Sequence, residues 1–238
     1  MNDGETLLTF PLTTTSAFSF LIWRALLALD DNAWNWIMAL EILFEGLCEL
    51  LSEEDPIERN ARLELQKAIT TASQPQPLTR LADPFLEVMA RDSAHPLCHL
   101  ISRLPFCWAP PRTSQDPLYQ EHSHFKAHVE LLGPTGLVVS SKVRIGLYGM
   151  LPHSEYGLRT HPAEETYIML AGSAFWKLGD APYRRLFAGE RSYHPSMMPH
   201  ATRTRDDAFM SIYIWDGDIA TDQYRYLGLP DDKGNACL

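Results

Sequence analysis

The spacing of apolar and polar positions changes period part-way along the chain. Between residues 16 and about 104, apolar residues recur at steps of three and four. In Asp31–Ser52 they are Trp34, Ile37, Leu40, Phe44, Leu47 and Leu51, the stripe of an amphipathic helix. Asp55-Pro56-Ile57-Glu58 reads as the start of another. Asp55 can cap, Pro56 suits the first helical position, and Glu58 stands three after the cap. That helix is expected to run to about Ala72, where Ser73-Gln-Pro-Gln-Pro77 breaks it, and two shorter helices follow up to Arg103. The apolar run Phe18–Leu29 is interrupted by Arg24 and is too short to span a bilayer. Acidic rather than basic residues precede it and no small-residue cleavage site follows, so it reads as a core helix and not a signal peptide.

Cys107-Trp-Ala-Pro-Pro111 marks a change of character. From about Phe125 the runs Lys142–Tyr148, Thr166–Leu170, Ala174–Leu178, Tyr183–Phe187 and Phe209–Trp215 read as short strands, with Gly179-Asp-Ala-Pro182 as a hairpin connection. Many short strands at this spacing indicate a sandwich or barrel. The expected fold is mainly β with a helical N-terminal part: residues 1–124 packed on a barrel of residues 125–238. Side chains alternate faces along a strand. In the run Glu165–Leu170, closed by Ala171-Gly172, Glu165, Tyr167 and Met169 share one face and Thr166, Ile168 and Leu170 the other.

Composition narrows the class. Hydrophobic residues make up 45% of the 238, enough for a sizeable core, and 17 Pro and 13 Gly fit a turn-rich β portion. A net charge of −10 argues against nucleic acid and anionic membranes as main partners. The four cysteines form no C-x-x-C pair, so no disulfide framework is expected and a reducing cytoplasm is the default.

The candidate chemistry lies in His161-Pro-Ala-Glu-Glu165-Thr-Tyr167. If the Glu165 face points into a barrel, a carboxylate and a phenol sit side by side in a sheltered interior with His161 just upstream. That set suits a transition metal or Zn better than a packed core. His161-x3-Glu165-x6-Gly172 and Gly189-x5-Pro195-x-Met197-x2-His200 together resemble the two signatures of the cupin superfamily. Four positions depart from the usual pattern: Arg159 stands where a first His is expected, His153 and Met197 where Gly is expected, and Thr204 where Asn is expected. Tyr156-x4-His161-x3-Glu165-x-Tyr167, Ala-Gly-Ser-Ala-Phe-Trp176, His200-Ala-Thr-Arg-Thr204 and Trp215-x-Gly-Asp218 look more narrowly like the cupin dimethylsulfoniopropionate (DMSP) lyases of the DddQ/DddL type. So do Gly133-Pro-Thr-Gly136 and Arg144-x-Gly-Leu147 upstream. The resemblance is close over residues 125–218 and holds in outline for the helical half.

That resemblance implies a single cupin jelly-roll barrel preceded by packed helices. It implies one divalent transition metal (Zn, Fe, Mn, Ni or Co) on His161, Glu165 and His200, with Tyr167 and Tyr156 catalytic. The reaction implied is β-elimination of DMSP to dimethyl sulfide and acrylate. A cation bound to the carboxylate stabilises the charge that develops there, and a tyrosine beside such a cation can serve as base. Trp176, Tyr213 and Trp215 are candidates to hold a cationic sulfonium by cation–π contacts. Arg159 either repels a cation from the ligand shell or turns outward to bind the substrate carboxylate in bidentate fashion. Two further readings stay open: a cupin that binds a small molecule without this reaction, and another cupin metalloenzyme such as a dioxygenase or isomerase. A small-molecule substrate is expected in each case. Cupins commonly pair, which leaves a homodimer open.

Other histidines have plainer readings. His122, His124 and His128 have H-x-H-x3-H spacing but fall before the barrel proper, on what reads as an edge strand with exposed histidines. His153 and His194 are candidates to support the ligands from behind. His95 and His99 read as structural.

Overall fold

A computed structural model describes residues 36–68, 79–108, 117–121 and 123–229. Trp34, the Phe18–Leu29 run, the Pro-rich break at 73–77, His122 and Cys237 lie outside the described residues. The helices are α1 (Trp36–Leu50), α2 (Pro56–Ala68), α3 (Asp83–Met89), α4 (Leu97–Ile101) and α5 (Pro117–Glu121). The strands are β1 (Lys126–Gly133), β2 (Val138–Val139), β3 (Arg144–Met150), β4 (Glu155–Thr160), β5 (Glu164–Leu178), β6 (Arg184–Phe187), β7 (Arg191–His194), β8 (His200–Arg203), β9 (Phe209–Asp216) and β10 (Arg225–Gly228). No helix among the described residues is long and apolar enough to cross a membrane.

The expected class is borne out: a jelly-roll-like β fold with helices ahead of it. The sheet does not close into a barrel. Its path runs β10-β4-β8-β5-β9-β3-β1-β2, with β6 and β7 also pairing with β5. The expected break at Ala171-Gly172 is absent, because β5 runs through it as one strand of 15 residues. Its first half pairs with β7 and β9, its second with β6 and β8. The register shifts between Met169 and Ala171, and Gly172 turns the strand at φ +69°. A Cβ there would lie 1.9 Å from the Ala208 carbonyl oxygen, so only glycine fits. β5 thereby belongs to both halves of the sheet and bends between them.

Period-two alternation sorts the core into two layers. Ile145, Leu147, Ile168, Leu170, Ile212 and Ile214 face the helices and pack with Leu43, Phe44, Leu47, Leu65 and Val88. The opposite face carries Tyr148, Tyr167, Met169, Tyr213 and Trp215, the aromatic interior in which the site lies. The α1 stripe holds at Leu40, Phe44, Leu47 and Leu51, all buried, but Ile37 is 41% exposed.

Asp55 caps α2 as expected, its Oδ1 accepting the backbone N–H of Ile57 at 2.9 Å and of Glu58 at 3.0 Å. Glu58 does not close a capping box. Its buried carboxylate takes Nε of Arg191 at 2.5 Å and Nη2 at 3.0 Å, and accepts the Ser52 N–H at 2.7 Å. This fork clamps α2 to β7. Asn60 Nδ2 donates to Asp216 at the end of β9 (2.7 Å), and the His95 N–H donates to the Leu170 carbonyl (2.7 Å).

Arg191→Met leaves the Glu58 carboxylate buried without its cation. Urea denaturation should show a loss of about 2–3 kcal/mol, less than for a fully buried pair because Arg191 is partly exposed. The denaturant slope should not change, and limited proteolysis should release no stable 125–238 fragment.

Candidate active site

Strand register brings the site together. Glu165 on β5 lies directly opposite His194 on β7 and Trp215 on β9. Directly opposed side chains meet on one face of a sheet. Trp215 Nε1 accordingly donates to Glu165 Oε1 at 2.6 Å, and His194 Nδ1 lies 3.2 Å from Oε2. His161 follows the end of β4 and stacks on the Trp215 indole at 4.1 Å between centroids. His200 opens β8, beside Arg159 of β4.

His161 Nε2 and His200 Nε2 both lie 3.3 Å from Glu165 Oε2, and one donor atom from each of the three residues falls within 4.8 Å of the others. This group can hold a metal ion, and the tautomers favour it. His161 Nδ1 faces the Ala163 carbonyl at 3.1 Å and His200 Nδ1 the Met198 carbonyl at 2.8 Å. Each Nδ1 therefore carries the proton that it donates, and each Nε2 turns its lone pair to the carboxylate. Burial pushes the His200 imidazole well below its usual pKa, so it stays neutral, and its Nε2 makes no hydrogen bond. A lone pair facing a carboxylate oxygen is repulsive unless a cation lies between them. Donors ~2.1 Å from a tetrahedral ion would be about 3.4 Å apart, close to the separations here. Burial alone would raise the Glu165 carboxyl, yet it lies well below the usual range, and Trp215 Nε1–H is a donor that favours its ionised form.

His161 and Glu165 open into a cavity of about 350 Å³, and His200 lies beside them just outside its lining. Tyr167, Tyr156, Arg159, Tyr213 and Trp215 line it, as the sequence suggested. Trp176 does not. It is buried under Tyr167, 4.4 Å between centroids, because the bend in β5 carries it past the cavity. Arg159 is not in the ligand group. Its Nη2 donates to Thr202 Oγ1 at 3.2 Å, its Nη1 to the Gly157 carbonyl at 3.4 Å, and its guanidinium lies 4.0 Å from the Tyr156 ring centroid. Burial raises the Tyr167 phenol well above its usual pKa and Glu165 adds to this, while Arg159 pulls the other way. Tyr156 shares a short hydroxyl–hydroxyl hydrogen bond with Tyr224.

The remaining histidines fall differently from the sequence reading. His194 supports Glu165 as expected, and its Nε2 meets Ser192 Oγ at 2.8 Å. His153 does not reach the site; its side chain is 73% exposed. His128 is no surface histidine. It is half-buried and lines the cavity, its Nε2 2.8 Å from the Tyr213 hydroxyl. His124 on the same run is exposed, so the H-x-H-x3-H spacing does not make a cluster. Sequence reasoning gave no role to Lys126, Tyr148 or Tyr224.

Comparison with known proteins converges on one family. Residues 55–211, more than half of the chain, match the family described as dimethylsulfoniopropionate lyase. A stretch of 91 residues is 41% identical to the dimethylsulfoniopropionate lyase DddQ of Ruegeria pomeroyi, covering 38% of this chain and 45% of that protein. The chain thus matches less than half the length of that curated relative. The crystal structure of DddQ from Ruegeria pomeroyi DSS-3 is similar at a TM-score of 0.51 and 26% identity, covering 74% of this chain and 92% of that one. A chain from the crystal structures of the DMSP lyases RdDddP and RnDddQII matches at a TM-score of 0.57 and 24% identity. It covers 80% of this chain and 96% of that one, a likeness of fold.

Two outcomes follow from the geometry. Trp215→Phe removes a donor to Glu165 without emptying the core. Competition with a chromogenic chelator should show metal affinity down about 10- to 100-fold with the fold kept. Burial first, then Arg144 and Lys126, push His128 down to about 4. Its folded pKa lies below its unfolded value of about 6.5, so the neutral form favours folding. That contribution should be complete above about pH 6.5 and lost as pH falls toward 4. Stability curves against pH should flatten over this window in His128→Gln.

Proposed function

The chain belongs to the dimethylsulfoniopropionate lyase family, and from that membership and the geometry of its cavity we propose that it is a metal-dependent carbon–sulfur lyase. On this reading it cleaves DMSP to dimethyl sulfide and acrylate by β-elimination. The observation that carries the proposal is Tyr167. It sits two residues from Glu165 on the same strand face and in the same cavity as Arg159. On this reading a base, a candidate metal group and a carboxylate-binding cation share one cavity.

A divalent cation on His161, Glu165 and His200 would supply Lewis-acid stabilisation of the charge that develops on the substrate carboxylate. The chain's own residues do the rest. Arg159 holds the carboxylate and fixes the α-carbon against Tyr167. Its positive charge also favours the phenolate that burial opposes. The Tyr167 phenolate takes the α-proton, the C–H pair becomes the Cα–Cβ double bond, and the carbon–sulfur pair leaves with sulfur as neutral dimethyl sulfide. Tyr213 and Trp215, which line the cavity, hold the sulfonium by cation–π contact. Trp176 serves by packing Tyr167 in place. Tyr156, tied to Tyr224, orients substrate and keeps water from the reacting carbon.

Headspace measurement of dimethyl sulfide tests the reading. Tyr167→Phe should keep metal content and fold and lose turnover by about 100- to 10,000-fold. Tyr156→Phe should lose less. If wild-type protein holds metal but releases no dimethyl sulfide, the lyase reading fails and a binding role, or another metalloenzyme on this fold, takes its place.

A further inference from the structure

The cavity has a second pole that the ligand group does not use. Arg159 is fully buried, yet no carboxylate among the described residues pairs with it. Its two hydrogen bonds go to neutral oxygens, those of Gly157 and Thr202. A buried guanidinium without a counter-ion is costly, which makes its surroundings a place where an anion binds well. Close by, Tyr148 of β3 is 3% exposed and lines the same cavity, and its hydroxyl has no hydrogen-bond partner among the described residues. Both residues border the Tyr156 ring: Tyr148 at 6.4 Å between centroids, Arg159 at 4.0 Å. Lys126 Nζ lies 3.0 Å from the centroid of that ring, and burial, then Arg159, pull its pKa well below the usual range toward the neutral amine.

Counting the charge shows what such a cavity prefers. Glu130 and Arg144 pair at 2.8 Å and cancel. Glu165 offsets half of any divalent cation beside it. With the Tyr167 phenol protonated in the resting site, as burial favours, the loaded cavity therefore keeps one excess positive charge at the metal group and another at Arg159. A zwitterion with one carboxylate can meet one pole, leaves the other unmet and brings a cation of its own; two carboxylates neutralise both. We infer that this cavity binds short dicarboxylates, one carboxylate on Arg159 and Tyr148 and the other at the His161–Glu165–His200 group. The inference rests on the proposed metal group but not on turnover of DMSP.

Calorimetric titration with succinate and butyrate, on zinc-loaded and chelator-stripped protein, tests it. Loaded protein should bind succinate about 10- to 100-fold more tightly than butyrate, as charge-assisted hydrogen bonds to a second carboxylate would give. Stripping the metal should remove the preference while butyrate still binds at Arg159. Arg159→His should abolish the preference, and Tyr148→Phe should cut it several-fold, roughly one hydrogen bond to a charged group. Should Arg159→His fail to fold, Tyr148→Phe, which loses one hydroxyl, decides the matter. Equal affinities in loaded protein would overturn the inference, because one carboxylate would then satisfy both poles. So would a preference undiminished by either substitution. Failure of the lyase reading is read separately, as succinate binding without release of dimethyl sulfide.

Discussion

The arrangement of the site depends on one buried carboxylate. Glu165 gathers His161 from the end of β4, His194 from β7, His200 from β8 and Trp215 from β9, with separations of 2.6 to 3.3 Å. An ionised carboxylate inside an apolar sheet is tolerated only if donors or cations surround it. Two of its neighbours, His194 and Trp215, give it donors by register alone. The other two are turned by backbone carbonyls so that their lone pairs converge on it. That second feature has no value for packing, and it is what makes the group able to hold a cation. The helices contribute at a distance: the Glu58–Arg191 fork anchors the start of β7, and β7 carries His194.

The departures from the cupin pattern are informative in the same way. Among the described non-glycine residues, those with positive φ are His153 at 53° and Met197 at 59°, the two positions where the pattern expects glycine. The backbone bends have been kept although the residues that relieve them have gone. Left-handed φ costs a non-glycine residue roughly 1–2 kcal/mol. The bend at Met197 abuts the ligand group and the one at His153 lies away from it. Met197 donates its N–H to the His161 carbonyl at 2.9 Å, and His153 donates its own to Arg205 at 2.7 Å. Thr204, in place of asparagine, joins the Leu151 carbonyl at 2.6 Å and the Ser154 N–H at 2.9 Å, closing the turn before β4. The surrounding sheet thus determines the geometry more strongly than the residues of the motif do.

Much of this was legible in the sequence, and the limits have physical causes. Period-two alternation along β5 correctly separated Tyr167 and Met169 from Ile168 and Leu170, because each strand face meets a different core. The α2 start was legible because Asp55 and Pro56 act locally. What could not be read was pairing. Nothing local joins Trp215 or His194 to Glu165; they meet through strands that approach from far along the chain. For the same reason Trp176 was expected in the cavity and lies beneath it, since the bend at Gly172 depends on the close approach of Ala208. His128 was read as exposed because a polar alternation looks the same whether it faces water or a polar cavity.

Arg159 is where local pattern and tertiary setting differ most. In an imidazole-type ligand shell a guanidinium cannot coordinate, since it has no lone pair to offer. The structure keeps it out of that shell by laying it over Tyr156 and tying it to Thr202. Once there, its charge has to be met by the cavity, and the groups that face it are phenols: Tyr167, Tyr156, Tyr224 and Tyr148. Burial favours the protonated form of all four, and only Tyr167, when it acts as base, would supply a full negative charge. An anionic ligand is therefore the cheapest partner for Arg159. A cation at this position thus stands in the same cavity as the group able to hold a metal, but outside its ligand atoms.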